Sequence, residues 1–178
     1  MKKGILLFVI IAVVFAIYAF KQRNPTHTLV KGQSVVPFTL KDQNDSLFTI
    51  SDFIGKKNLV IYFYPKDDTP GCTKEACKFR DEFEIFTELD AIVIGISADS
   101  PESHQKFAKK YNLPFTLLSD PENQVRNSFG VKPEFLGIIP GRVTFIVDRT
   151  GTIQYVFNSL SKAEQHVEEA KKILISLK

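Results

Sequence analysis

The sequence contains two cysteines, and the first follows a pattern that starts a helix. Residues 59–64 are apolar, aromatic and β-branched, which predicts a buried strand. In the loop after it, Thr69 suits a helix N-cap and Pro70 suits the first helical position. Cys72 therefore falls in the first turn, where unpaired backbone N–H groups and the helix dipole favour an anionic sulfur. Because the thiolate is the attacking form of cysteine, Cys72 is a candidate nucleophile.

The second cysteine, Cys77, lies five residues further along the same predicted helix. In an intact helix, five residues separate two Cα atoms by roughly 8 to 9 Å and turn them onto different faces. A disulfide requires a Cα separation below about 7 Å. Cys72 and Cys77 can therefore form a disulfide only if the first turns of the helix unwind, which predicts a conformational switch and not a static bridge.

The elements around the cysteines predict an α/β fold. After Cys72, apolar residues recur every three or four positions, at Ala76, Phe79, Phe83 and Phe86, as on one face of a helix. Further strands are predicted at 35–40, 47–50, 91–97, 115–118, 143–147 and 153–157, and further helices at 101–110, at 121–129 and from residue 161. Strands alternate with helices, and 91–97 is continuously apolar, so we expect a sheet with a parallel core. Cys72 then lies at the carboxyl end of a strand, where ligands bind in such sheets.

Composition limits the possible partners. The chain has 178 residues, 44% of them hydrophobic, which suffices for one domain with a core. Four basic residues lie at positions 2, 3, 21 and 23, and together they account for more than the whole net charge of +3. The rest of the chain is therefore nearly neutral and gives no basis for nucleic-acid binding. With two cysteines, no C-x-x-C motif and no histidine-rich tract, the sequence carries no zinc signature.

The N-terminus predicts a membrane segment. Residues 5–20 are sixteen consecutive apolar residues with basic residues on both sides. A cleaved signal peptide is the alternative, but the nearest cleavage position, after Ala19, has Ile17 where a small residue is needed. We therefore predict an anchor at 1–23, a tether at 24–33 and a folded domain at 34–178. Two basic side chains flank each end of the segment, so the positive-inside rule does not choose an orientation. The free amino terminus adds positive charge on the N-terminal side, which favours an extracytoplasmic domain, with the cytoplasmic face as the alternative.

A motif around Cys72 resembles that of a known family. Pro65, Thr69 and Cys72 form P-x-x-x-T-x-x-C within the string YPKDDTPGCTKEAC. This string is similar to the active-site signature of the peroxiredoxins, and in particular of the PrxQ or bacterioferritin-comigratory-protein subfamily. The similarity continues to GRVTFIVDRTG near the end of the chain. The resemblance implies a thioredoxin-like fold with a central mixed sheet flanked by helices.

The resemblance also implies roles for individual residues. Cys72 would be the peroxidatic cysteine and Cys77 the resolving cysteine. Thr69 would hydrogen-bond the peroxide, Pro65 would shield the site from water, and Arg142 would be the active-site arginine. The expected activity is reduction of hydrogen peroxide and organic hydroperoxides, through a sulfenic acid and an intramolecular disulfide recycled by thioredoxin. No metal or organic cofactor is expected, and we expect a monomer and not a stable oligomer.

Two alternatives use the same cysteines differently. A membrane-tethered copper carrier of thioredoxin fold would bind Cu(I) through both sulfurs, but it would favour a closer spacing and a nearby histidine. A membrane-tethered thiol–disulfide oxidoreductase would normally carry C-x-x-C. Other polar residues are assigned no chemistry. Asp67 and Asp68 are interpreted as solvated loop residues and Glu75 as a favourable first-turn charge. The three histidines, His27, His104 and His166, are scattered along the chain and receive no role.

Overall fold

The computed structural model describes residues 28–178. The strands are β1 (Thr39–Asp42), β2 (Leu47–Thr49), β3 (Asn58–Phe63), β4 (Ala91–Ser97), β5 (Thr116–Ser119), β6 (Val143–Val147) and β7 (Ile153–Asn158). The helices are α1 (Pro70–Asp81), α2 (Phe83–Glu88), α3 (Pro101–Tyr111), α4 (Gln124–Ser128) and α5 (Ala163–Ser176), with a short 3-10 helix at Ile50–Asp52. The seven strands of residues 28–178 form one sheet in the order β2-β1-β5-β4-β3-β6-β7.

The sheet is mixed, and its arrangement determines where the cysteine helix begins. Strand β3 is parallel to β4 on one side and antiparallel to β6 on the other. In the antiparallel register Phe63 pairs with Val143, so the carboxyl end of β3 lies beside the start of β6. The loop after β3 leads into α1. The predicted α/β fold with a mixed central sheet is confirmed.

Alternate residues of β3 supply two hydrophobic cores, one on each face of the sheet, because side chains of a strand point alternately to opposite faces. Leu59, Ile61 and Phe63 belong to the core that includes α4. Val60 and Tyr62 belong to the other core, which includes α1, α2, α3 and α5. With both faces covered, the strand is fully buried from its second residue onward, as its continuous apolar sequence predicts.

Most predicted elements shift by one to three residues at their ends, and two differ more from their predicted boundaries. The first strand is expected at 35–40 but lies at Thr39–Asp42, because Val35 instead donates its N–H to the carbonyl of Gly151. The helix with the apolar stripe is divided at Glu82, whose φ of −106° and ψ of 12° end α1 before α2 starts. The stripe continues across the break, since Phe79 and Phe86 are both fully buried.

Part of the predicted N-terminal region lies outside the described residues. The predicted anchor at 1–23 and the first four residues of the tether are among these. Within the tether, Leu29 donates its N–H to Phe129 and Gly32 donates to Ile153, so 28–33 is attached to the domain. In the described part of the chain, none of the helices has the length and apolar character needed to cross a membrane.

A matched pair of leucines tests the core assignment. Leu59 is fully buried in β3, whereas Leu47 at the sheet edge is 75% exposed. Leu59→Ala should lower the free energy of unfolding by about 2–5 kcal/mol through lost burial and a cavity. Leu47→Ala should change it by less than about 0.5 kcal/mol. Urea unfolding of the two variants measures the difference, and equal losses would contradict the assignment.

Candidate active site

Cys72 is the third residue of α1, preceded by the N-cap Thr69 and by Pro70 at the first helical position. It is only 2% exposed and belongs to the hydrophobic core that also contains Tyr62 and Tyr64. The helix therefore begins at the predicted residue. Its first turn points the sulfur inward, into a nearly enclosed site where charges interact more strongly than in water.

Arg142 brings a positive charge to this sulfur from the residue before β6. Its Nη2 donates a hydrogen bond to Cys72 Sγ at 3.3 Å, and its Nε donates to the carbonyl of Leu160 at 3.2 Å. Burial opposes the charge of this guanidinium, but attraction to Glu75 and Cys72 outweighs burial and raises the pKa of Arg142. A hydrogen bond from a cation to sulfur is charge-assisted, and it stabilises a thiolate more than a thiol.

Glu75 is the sixth residue of α1, is buried and forms an ion pair with Arg142, so its interpretation as a favourable first-turn charge is wrong. It follows Cys72 by three residues, and in a helix this spacing places both side chains on the same inward face. Its Oε1 has no hydrogen-bond partner among residues 28–178 and lies 3.7 Å from His166 Nδ1. Burial raises the pKa of Glu75, and the positive charge of Arg142 opposes this rise. The carboxyl group fixes one edge of the guanidinium while the other faces the sulfur.

Arg126 is a second buried guanidinium that the sequence analysis missed. From α4 it donates to the carbonyls of Tyr64 and Gly141, both at 2.8 Å. Burial lowers its pKa to about 10, although attraction to Asp120 and to Cys72 works in the opposite direction. Its bonds tie the end of β3 to the residue before Arg142. No sequence signal distinguishes it, because an arginine in the short polar helix QVRNS resembles an ordinary solvated residue.

Thr69 and Pro65 lie in the loop between β3 and α1, and both are half-buried. The Thr69 hydroxyl makes no capping hydrogen bond to the helix and instead donates to the carbonyl of Lys66 at 3.0 Å. Its oxygen lone pairs are therefore not used by the helix. Thr69 is the N-cap by backbone position, while its side chain faces the loop.

Asp67 is buried, so its interpretation as a solvated loop residue is wrong. Its carboxylate accepts hydrogen bonds from Tyr64 and from Ser103 and His104 of α3. His104 is itself fully buried. The loop before Cys72 is consequently bonded to a neighbouring helix through buried groups.

Cys77 lies one turn beyond Cys72 in the unbroken helix α1 and is half-buried. Both cysteines are free. Five residues of intact helix hold their Cα atoms roughly 8 to 9 Å apart. In this structure the intact helix therefore prevents a disulfide between the two cysteines.

No group of three or more histidine, cysteine or acidic side chains that could hold a metal ion occurs within residues 28–178. The charged groups close to Cys72 are the side chains of Arg142, Arg126 and Glu75. A cysteine at a helix start, hydrogen-bonded by a buried arginine on a mixed α/β sheet, defines a thiol-based redox protein.

Comparison with known proteins identifies the family. The model of the AhpC/TSA family matches residues 31–156, and the chain belongs to this family of peroxiredoxins. Peroxiredoxin Q, chloroplastic, of Sedum lineare is 52% identical over 150 residues, which cover 84% of this chain and 80% of that protein. The predicted peroxiredoxin resemblance, in its PrxQ form, is confirmed.

Solved structures of relatives share the fold. Peroxidoxin BcpB from Mycobacterium tuberculosis has a TM-score of 0.78 at 35% identity, over 84% of this chain and 99% of that one. The bacterioferritin comigratory protein of Xanthomonas campestris has a TM-score of 0.73 at 29% identity, over 79% of this chain and 91% of that one. The fold is therefore thioredoxin-like, and the protein is a thiol-dependent peroxidase, an oxidoreductase. These comparisons give no support to a copper carrier or a thiol–disulfide exchanger.

The predicted localisation is wrong. We expected a membrane-anchored protein with an extracytoplasmic domain, but the Sedum lineare relative is named chloroplastic. The helices between residues 28 and 178 likewise offer no membrane span. The apolar run at 5–20, on which the expectation rested, lies outside the described residues. Length and hydropathy of a terminal segment are therefore insufficient grounds for naming the membrane as a partner.

Replacing Arg142 by lysine tests the importance of the guanidinium geometry. Lysine keeps the charge but loses the planar fork that contacts Cys72 and Glu75 together. We expect the second-order rate constant for oxidation of Cys72 by hydrogen peroxide to fall about 100-fold. Stopped-flow measurement provides the rate, with the exposed Arg149→Lys as the matched control. A rate for Arg142→Lys equal to that of the control would show that charge alone suffices.

The buried His166 should make stability depend on pH. Burial, together with repulsion from Arg142, lowers its pKa from 6.5 to about 4, against a hydrogen bond to Ser159. Between these values the unfolded imidazole binds a proton that the folded one does not, so stability falls as the pH drops from 6.5 to 4. The expected loss is about 3 kcal/mol. Urea unfolding measures the free energy of unfolding of the wild type and of His166→Gln at each pH. The difference between the two proteins should shrink by this amount from pH 6.5 to pH 4, and a difference that stays constant over this range would contradict the assignment.

Proposed function

We propose that Cys72 is the peroxidatic nucleophile of this peroxidase. The observation that carries the proposal is the 3.3 Å hydrogen bond from Arg142 Nη2 to Cys72 Sγ at the start of α1. The helix start and the guanidinium both stabilise negative charge on sulfur, and they act in a site from which water is largely excluded. The nucleophile is thus activated by fixed charges and not by a neighbouring base.

In the proposed first step, the Cys72 thiolate attacks the distal oxygen of a hydroperoxide. The sulfur–oxygen bond forms as the oxygen–oxygen bond breaks, leaving a sulfenic acid on Cys72. The departing oxygen takes the electron pair and a proton, and leaves as water or an alcohol. Negative charge moves from sulfur to this oxygen, so cations fixed beside the sulfur, Arg142 and Arg126, stabilise the transition state.

Thr69 and Pro65 are proposed to prepare the substrate side of the site. Because the Thr69 hydroxyl donates its own proton to Lys66, its oxygen can accept a hydrogen bond from the O–H of a hydroperoxide. That bond would orient the distal oxygen towards Cys72. Pro65, half-buried in the same loop and without an N–H, adds apolar surface that keeps water from the sulfur.

Cys77 is proposed to resolve the sulfenic acid. Its thiol attacks the Cys72 sulfur, a disulfide forms and one water leaves. The reaction requires α1 to unwind between the two cysteines. Ion pairs between Lys74 and Glu164, and between Lys78 and Glu168, hold this segment against α5. Because these pairs are solvent-accessible, each contributes at most about 1 kcal/mol and resists unwinding only weakly.

Recycling is proposed to use a thioredoxin-like dithiol protein. One thiolate of that protein attacks the disulfide, a mixed disulfide forms, and the second thiol releases the reduced enzyme. Hydrogen peroxide and organic hydroperoxides are the proposed oxidants. Support for the organic class comes from the Xanthomonas campestris relative, whose structure is described in connection with its alkyl peroxide reduction activity.

Two serine variants separate the roles of the cysteines. Cys72→Ser should abolish peroxide consumption in the presence of a dithiol reductant, because no thiolate remains to attack. Cys77→Ser should retain the first oxidation at close to the wild-type rate but recycle slowly with thioredoxin. Stopped-flow kinetics and mass spectrometry of the sulfenic acid measure the two steps.

Either variant can overturn its part of the proposal. Unchanged turnover by Cys72→Ser would remove Cys72 as the nucleophile. Thioredoxin-dependent turnover of Cys77→Ser at the wild-type rate would assign the resolving thiol to another molecule.

A further inference from the structure

Five buried or half-buried residues form a hydrogen-bonded cluster behind the loop that leads to Cys72. They are Tyr64, Asp67, Asp99, Ser103 and His104, here called the Asp67 clamp. Asp67 Oδ1 accepts from the Tyr64 hydroxyl at 2.7 Å, and its Oδ2 accepts from Ser103 Oγ at 2.8 Å. His104 Nδ1 lies 2.9 Å from the same Oδ2, so this nitrogen carries the proton. One carboxylate thus satisfies three donors.

The backbone of the loop is held by the same cluster. Asp67 donates its N–H to Asp99 Oδ2 at 2.9 Å. The Asp99 carboxylate also accepts from Ser97 Oγ, at the end of β4, at 2.7 Å. The peptide just after Pro65 and Lys66 is therefore fixed to the end of a central strand as well as to α3.

The next residue, Asp68, has the same side chain but a different environment. Its carboxylate accepts from Lys110 Nζ and the Tyr111 hydroxyl, also on α3, but it is exposed to solvent. Exposed ion pairs contribute little, typically less than about 1 kcal/mol. Removing a buried acceptor leaves its donors unpaired, and each unpaired group costs about 1–3 kcal/mol. Of the two aspartates, Asp67 therefore dominates the attachment of the loop.

The clamp lies immediately before the segment that has to unwind. Asp67 precedes Thr69 by two residues and Cys72 by five. On the far side of Cys72, Glu75 forms a buried ion pair with Arg142, and two further ion pairs between α1 and α5 are solvent-accessible. Unwinding between the two cysteines has to release the Glu75–Arg142 pair, whereas the contacts of Asp67 lie outside the segment that unwinds.

We propose that Asp67, through Ser103 and His104, is a positioning residue that holds Thr69 and the start of α1 in place while the helix unwinds beyond Cys72. This inference rests on the proposed function of the two cysteines. The clamp confines the rearrangement to the Cys77 side, so that Cys77 moves to Cys72. It also keeps the substrate-binding part of the loop in the geometry needed for the first oxidation.

The two steps should respond to loss of the clamp in different ways. The first oxidation depends on the position of Thr69, and misplacing a reacting or orienting group by about 1 Å can slow a reaction by about 100-fold. Disulfide formation depends on unwinding, which a loosened loop does not hinder. Loss of the clamp should therefore slow sulfenic acid formation and leave disulfide formation unchanged or faster. If Asp67 had a purely structural role, its loss would lower the unfolding temperature without slowing one of the two steps selectively.

The experiment compares Asp67→Ala with Asp68→Asn, which removes the exposed carboxylate but keeps a residue type that tolerates the left-handed backbone at position 68 (φ 54°). Stopped-flow mixing with hydrogen peroxide, well below the unfolding temperature, resolves sulfenic acid formation as a rate proportional to peroxide and disulfide formation as a rate independent of it. Asp67→Ala should slow the first step at least tenfold, within the range that misplacement produces. The second step should not slow. Asp68→Asn should keep both rates within about twofold of the wild type, as expected for an exposed pair.

Where Asp67→Ala does not fold, Asp67→Asn replaces it, because the amide keeps the shape and one acceptor oxygen. We then expect slower sulfenic acid formation, by a smaller factor, and again no slowing of disulfide formation. The inference is overturned if the Asp67 variant oxidises as fast as Asp68→Asn, or if both steps slow by the same factor. Failure of the proposed function has a separate signature, since the wild type itself would then form no sulfenic acid with peroxide.

Discussion

The contact between the Arg142 guanidinium and the Cys72 sulfur is the interaction on which the site is built. A buried cation is costly unless it is paired, and Glu75 supplies that pairing on the same helix as the cysteine. The antiparallel register of β3 and β6 brings the residue before β6 to the end of β3, where α1 starts. Arg126 then ties these two chain segments together through their carbonyls. The sheet thus sets the distance between charge and sulfur more closely than any local feature could.

Helix α1 has two requirements that conflict. An intact first turn provides the N–H groups and the dipole that favour an anionic sulfur, but the same turn keeps Cys77 out of reach. Buried hydrogen bonds at Asp67 hold the loop upstream of Cys72. Downstream, unwinding would release the buried pair of Glu75 with Arg142 and the solvent-accessible pairs at Lys74 and Lys78. A helix held firmly at one end can open at the other without loss of the sheet beneath it.

Errors in the sequence interpretation concern mainly charged residues. Asp67 was interpreted as a solvated loop residue and Glu75 as a favourable first-turn charge, because acidic side chains are almost never fully buried unless they are paired. Their partners come from other elements, and a single sequence gives no indication of which lysine, arginine or histidine will face them. The same reason explains why Arg126 was missed. The localisation was wrong because it rested on the hydropathy of residues 5–20 alone.

The sequence by itself determined the features that depend on neighbouring residues: the helix start at Thr69 and Pro70, the five-residue cysteine spacing, and the apolar strands of the sheet. Propensity, capping and hydrophobic periodicity act over a few residues, so they can be read locally. The tertiary structure decided how charges meet the sulfur: Arg142 was expected there only through the family resemblance, and Arg126 was not expected at all. Arg142 and Cys72 are 70 positions apart, and His104 and Asp67 are 37 apart. Such contacts depend on strand order and register, which the folded sheet alone fixes.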